Sequence, residues 1–202
     1  MFVTSTTTAA TSPDIGYYNS FVTNVAAAVP ELLALGATWT VIGSTSAVSA
    51  ADNIGATNSG IYRLDGLEVA AGTAALFATG PPTNVSLINP ISINQLGDLY
   101  EPLVWTGTLY DGTPSFPLGG FFPQLGNSFS TDPGWLFALR HSGGLSFDLY
   151  AISSELTVGG AAPEPTTIGL TALGGAFLLL ALRRKQQNHM ATRTDGTPPA
   201  HH

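Results

Sequence analysis

The sequence predicts a small α+β domain with short helices early and a twisted antiparallel sheet, followed by one C-terminal transmembrane helix. Three observations lead there. Apolar residues make up 44% of the 202, enough for a core, while 23 glycines and 14 prolines favour turns over long helices. Short apolar runs separated by Asp-Gly pairs read as strands and hairpins. Residues 166–182 form a seventeen-residue stretch without a charge, ended by Arg183, Arg184 and Lys185.

Residues 19–28 place Phe21, Val22, Val25 and Ala26 at helical spacing behind cap-like residues, a short helix ending near Pro30. Residues 31–35 add a turn before Gly36. Residues 38–43, with Trp39, Val41 and Ile42, read as a strand. Residues 46–54 fit a short helix or a loop, because Ala and Ser suit both. Residues 61–64, an Asp65-Gly66 turn and residues 67–70 give the clearest hairpin signal. Residues 104–108 form a strand closed by Asp111-Gly112. Residues 116–133 are rich in Gly, Pro and Phe and read as an ordered loop held by its aromatics. Residues 135–139 and 147–158 supply the last strands, the second with Tyr150, Ile152, Leu156 and Val158 on one face. No repeat of 20–50 residues is present, which argues against solenoids and propellers.

Charge is sparse and unevenly placed. Only 9% of residues are charged. Residues 1–165 hold two basic against twelve acidic side chains, net −10, whereas residues 166–202 hold four basic and one acidic, net +3. A body this acidic is a poor partner for nucleic acid, whose binding rests on neutralising phosphates. The absence of cysteine excludes a disulfide framework, thiolate metal sites and a Cys nucleophile.

As a helix, residues 166–182 would reach about 25 Å, slightly short of a hydrocarbon core of about 30 Å, and snorkelling basic side chains cover the deficit. The basic cluster should stay cytoplasmic, leaving the acidic domain outside. A buried core helix is the alternative, and three adjacent terminal cations argue against it. Pro163, Glu164 and Pro165 precede the span behind Gly159, Gly160, Ala161 and Ala162, so residues 159–165 read as an exposed, non-helical linker. A Pro-Glu-Pro triplet, a short apolar helix and an Arg-rich end together resemble the PEP-CTERM tail of exported Gram-negative proteins, also labelled an ice-binding protein C-terminal domain. The resemblance covers about residues 162–185 and implies handling by an exosortase, a transpeptidase-like membrane enzyme cutting near the triplet. Such tails stop at the basic cluster, whereas here residues 186–202 continue and read as disordered. The tail calls for an export signal, yet Met1 is followed by a Thr/Ser-rich run without basic or apolar regions. The expectation is therefore a true start upstream of Met1, with export by another route as the alternative.

The body has a resemblance of its own. Phe2-Val3-Thr4-Ser5-Thr6, an Ala-rich helix, Gly36, Trp39 and Ser44 are followed by Tyr62, Leu64, Asp65 and Gly66. Val104-Trp105-Thr106-Gly107-Thr108, Asp111-Gly112-Thr113, residues 119–128, Trp135 and residues 149–158 complete the series. Together these resemble a bacterial domain related to endostatin, over about residues 2–158. The resemblance implies a C-type-lectin-like fold. The family's cysteines and its zinc-binding N-terminal histidines have no counterpart here, so neither disulfides nor a zinc site is implied.

No convergent catalytic set emerges. A calcium-type sugar site needs several oxygen ligands around one cation. Glu101-Pro102-Leu103 offers one carboxylate followed by a leucine, and Asp98, Glu101 and Asp111 read as solvated loop carboxylates. His141, followed by Ser142, lacks the Gly-x-Ser-x-Gly elbow of a hydrolase. His189, His201 and His202 lie in the tail. Gly119-Gly120 and Gly143-Gly144 lack the spacing and the lysine of a phosphate loop. Paired carboxylates for glycoside hydrolysis point to no particular pair. Trp39, Trp105 and Trp135 read as core anchors rather than a sugar-stacking platform.

The sequence thus predicts a protein with no cofactor, metal or catalytic residue, exported to the Gram-negative envelope. Its membrane contact would be residues 166–182, with the domain outside the cytoplasm, and processing could release it to the surface or matrix. An exosortase-type enzyme and exopolysaccharide or envelope components are the expected partners. Two alternatives are a polysaccharide-binding or adhesion module and a hydrolase of unknown mechanism. Ice binding would need a longer, regular Thr array than residues 4–8 provide.

Overall fold

A computed structural model describes residues 1–77 and 87–157. The chain divides into a unit Met1–Leu156 and a second unit Thr157–His202, of which only Thr157 is described. The linker 159–165, the apolar span 166–182, its basic cluster and the tail 186–202 all lie outside the described residues.

The first unit is mixed α+β, with few helices and a twisted sheet. In chain order it contains β1 (Phe2–Val3), β2 (Thr8–Ala9), α1 (Ile15–Ala27), α2 (Pro30–Leu33), β3 (Trp39–Val41) and α3 (Ala50–Ile54). These are followed by β4 (Ile61–Tyr62), β5 (Glu68–Ala70), α4 (Thr73–Leu76), β6 (Leu103–Trp105), β7 (Gln124–Asn127), β8 (Leu139–Arg140) and β9 (Ser146–Ser153). The main sheet runs β1-β9-β6-β7-β8, and β2 and β3 also pair with β9. β4 and β5 form a separate hairpin.

β9 is the hub. Phe2 and Val41 both face Ala151 in register, one on each edge, and Thr8 pairs with Phe147. β6 joins β9 in parallel, with Val104 opposite Asp148, a departure from the antiparallel sheet expected. Both faces of β9 are covered. Leu149 and Ala151 pack with Phe2, Val41, Trp105 and the buried Tyr18, Val22 and Ala26 of α1, while Tyr150 and Ile152 pack with Val3, Ile42, Val104 and Trp135. The period-2 alternation of a strand distributes these side chains between two cores.

Local chemistry sets several boundaries differently from expectation. α1 starts at Ile15 because Asp14 caps it, its carboxylate accepting the Gly16 N–H at 2.9 Å. Asn19 lies inside the helix instead of at its start. Its Oδ1 accepts the Val41 N–H at 2.9 Å, tying α1 to β3. Residues 50–54 are helical, with the Ser49 hydroxyl accepting from Asp52 N–H at 3.0 Å. The expected strand at 135–139 is replaced by a 3-10 turn, Pro133–Trp135, which Asp132 caps by accepting from Gly134 N–H at 2.7 Å. Only Leu139 of that segment is in a strand, β8. β9 stops at Ser153, so Leu156 falls beyond it and is exposed, and Val158 lies outside the described residues.

The segment 116–133 is not held by its aromatics. Phe116, Phe121, Phe122 and Phe129 are exposed, and the segment is pinned by backbone bonds from Leu118 N–H to Ser44 C=O and from Gly119 N–H to Ala10 C=O, both 2.9 Å. It also contains β7, whose Gly126 is required sterically: a Cβ there would sit 1.8 Å from the Trp135 carbonyl oxygen.

Candidate functional site

The residues of the sorting signal, Pro163, Glu164, Pro165, Arg183, Arg184 and Lys185, lie outside the described residues. Among the described residues no helix is long and apolar enough to cross a membrane.

The polar candidates of the body are dispersed. Among the described residues no group of three or more His, Asp or Glu side chains could hold a metal ion. Asp111 closes a turn, its Oδ1 accepting from both the N–H and the hydroxyl of Thr113. Asp98 and Glu101 are exposed. His141 is exposed, its Nδ1 accepting the Ser142 N–H at 2.9 Å. Trp39, Trp105 and Trp135 are buried, at 4%, 0% and 1% exposure. The motif around Trp105 is structural as well. The Trp105 Nε1–H donates to Thr8 C=O at 3.1 Å, and the buried Thr106 hydroxyl donates to Leu136 C=O at 2.6 Å. Gly107 adopts φ +61 against the Ser44 carbonyl and Leu118 amide, where no Cβ fits.

A groove that sequence reasoning did not single out lies at the β7–β8 edge of the sheet. It encloses about 580 Å³ and is lined by Phe122, Gln124, Phe137, Ala138, Leu139 and Arg140. β8 is the last strand of the sheet order, and both its residues are exposed. Phe121 and Phe122 meet edge to face with centroids 4.7 Å apart, and Phe121 is 81% exposed. The Arg140 guanidinium lies 3.9 Å from the centroid of the Phe116 ring. Phe116 is the one described non-glycine residue with positive φ, +47. Beneath them Gln124 donates from Nε2 to the carbonyls of Leu125 and Leu139, while its buried Oε1 has no hydrogen-bond partner. The groove therefore presents the exposed rings of Phe122 and Phe137 and the Arg140 cation, whereas the unpaired Gln124 acceptor is buried out of solvent reach.

A second unusual polar group is Asp148, 3% exposed on β9. Burial pushes its carboxyl up to about 6, against the opposing effect of the Tyr100 hydroxyl, which donates to Oδ2 at 3.4 Å. Its Oδ1 is unpartnered. Val104 stands opposite it in the ladder and Tyr150 shares its face, so this carboxyl borders the core rather than a cleft. No family model, no curated protein and no solved structure matches the chain.

Proposed function

We propose that this chain is an exported, non-enzymatic envelope or matrix protein, sorted through its C-terminal PEP-CTERM-like signal. One observation carries the reading: Pro163-Glu164-Pro165, an uncharged run over residues 166–182 and Arg183-Arg184-Lys185 follow one another in that order. In this reading the apolar run spans the membrane, the basic cluster stays cytoplasmic and an exosortase-type enzyme acts near the triplet. The acidic body is the displayed part, and its α+β make-up is compatible with the endostatin-like, C-type-lectin-like fold that its short motifs imply.

The intact mass of the native protein, taken separately from membrane and extracellular fractions, tests the reading. A product ending near residues 163–165 and found outside the membrane is expected. An uncut chain ending at His202 and confined to the membrane overturns processing and leaves residues 166–182 as a plain anchor.

The second reading, a polysaccharide-binding module, is favoured by the exposed phenylalanine rings at the β7–β8 edge, Phe121, Phe122 and Phe137. Retention of the chain on the producer's own exopolysaccharide distinguishes it from an inert structural role.

A further inference from the structure

We propose that the groove ahead of Met1 seats residues preceding Met1 in the same chain, which prolong β1 along β9 as far as Ser153. This site is independent of the C-terminal signal.

β1 already has the hydrogen-bond pattern of a longer strand. Phe2 and Val3 stand opposite Ala151 and Tyr150, and Thr4 N–H donates to Leu149 C=O at 2.9 Å. The backbone groups of Phe2 and Thr4 therefore turn towards β9, and those of Met1 and Val3 turn away. On that outer side Val3 N–H donates to Ile93 C=O at 2.8 Å, and the Met1 amine donates to Tyr62 C=O at 2.7 Å. The amine makes the bond that a peptide N–H would make at this point of a strand.

β9 offers the matching edge. Ser154 N–H donates to Thr38 C=O at 2.7 Å, on the β3 side. By alternation the Ser153 N–H and C=O point to the other side, where β1 lies. In the continued register Met1 stands opposite Ile152, so the residue before it stands opposite Ser153 and meets both groups. A groove of about 420 Å³ lies there, with Met1, Ile61, Tyr62, Ser153, Ser154 and Leu156 among its walls. Strand addition needs a backbone edge and side-chain walls, and this groove has both. It begins at the Met1 nitrogen, so a segment filling it in register with β1 is the one bonded to that nitrogen.

Charge points the same way. Met1 is 5% exposed, and among the described residues its amine has no carboxylate partner. Burial lowers the amine from its usual 8.0 to about 5. The charged residues bordering the groove are engaged elsewhere: Arg63 pairs with Asp65, and Glu155 accepts from the Ser59 hydroxyl. An ammonium carries three donors, and the fold supplies one acceptor, Tyr62 C=O. A peptide nitrogen carries one donor and no charge, so the same surroundings satisfy it completely.

Amide exchange and urea unfolding of the full chain in detergent test the proposal, with the chain beginning at Met1 or carrying Thr-Val-Thr or Thr-Val-Pro ahead of it. Thr-Val-Thr should slow exchange at Ser153 and shift the folding equilibrium towards the folded state, each by about tenfold or more. Thr-Val-Pro removes the amine charge equally but lacks the N–H that would reach Ser153 C=O, so its gain in stability should be smaller. Equal gains from the two prefixes would assign the effect to charge removal alone and overturn the strand. Unslowed exchange at Ser153, or a Thr-Val-Thr chain that is less stable or fails to fold, overturns the site. Concentration-dependent protection of Ser153 in the chain beginning at Met1 would assign the edge to a second copy and overturn the intrachain occupant.

Discussion

Asn19 of α1 and Asn53 of α3 face each other amide to amide, each donating from Nδ2 to the other's Oδ1, at 3.0 and 3.1 Å. The pair also brackets Val41: Asn19 Oδ1 accepts the Val41 N–H, and Asn53 Nδ2 donates to the Val41 carbonyl at 2.8 Å. Two helices and one strand are thereby locked by two side chains. Asn19→Ala and Asn53→Ala should each destabilise the domain by about 1–3 kcal/mol, because each leaves part-buried groups unpaired. The double variant should cost clearly less than the sum. A double-mutant cycle by urea unfolding measures the difference, and strict additivity would contradict a shared network.

Asp148 should itself contribute more stability in mild acid than at neutrality. Its folded value of about 6 lies above the ordinary 3.8, so folding takes up a proton between those values. Its contribution is full below about pH 4, declines as pH rises to about 6 and is level beyond. Asp148→Asn should therefore raise stability at pH 7 by about 1–2 kcal/mol, after allowing for solvent screening. The gain should vanish near pH 4. Chemical denaturation of both proteins across pH 3.5–7.5 checks this by difference.

Gly126→Ala should be among the most damaging single substitutions in the sheet. The added methyl would collide with backbone rather than with a movable side chain, since the Trp135 carbonyl occupies its place. A loss of about 3 kcal/mol is expected, with weakened β6–β7 pairing. Amide exchange at Thr106 and Ser128, whose N–H groups donate to the Gln124 and Pro102 carbonyls across this pairing, reports it directly. Unchanged protection there would refute the steric account.

Replacing Pro163, Glu164 and Pro165 together with alanine should leave the exported chain at its full mass and retained in the membrane fraction. Replacing Arg183, Arg184 and Lys185 with glutamine should disturb orientation instead. Protease accessibility of the acidic domain in intact and permeabilised cells separates the two effects.

The sequence announces an element where its signal is local. The Asp65-Gly66 turn marks a hairpin because Gly66 supplies the positive φ, +84, that the turn requires. β3 is announced by Trp39 and Val41, which alternate with Thr40. β7 is not, because Gln124, Gly126 and Asn127 have poor strand preference and are paired only because β6 lies beside them. β1 and β2 are two residues each, too short for any alternation to register. The groove was hidden for a related reason. A Phe-rich segment reads as inward-facing, whereas here backbone bonds such as those of Leu118 and Gly119 pin the segment and Phe116, Phe121, Phe122 and Phe129 stay exposed. Nothing about Gln124 in sequence indicates that its partner would be Arg140, sixteen positions later.

The central position of β9 has a consequence for the order in which the protein is made. β1, β2 and β3 all find their ladder partners on residues 146–153, so none of these ladders can form while the chain is being synthesised up to that point. Closing Phe2 onto Ala151 spans nearly the whole body, a late and entropically demanding step. The main sheet therefore cannot be completed until the last strand of the body is supplied, and it then closes from the body's first residues onto its last strand.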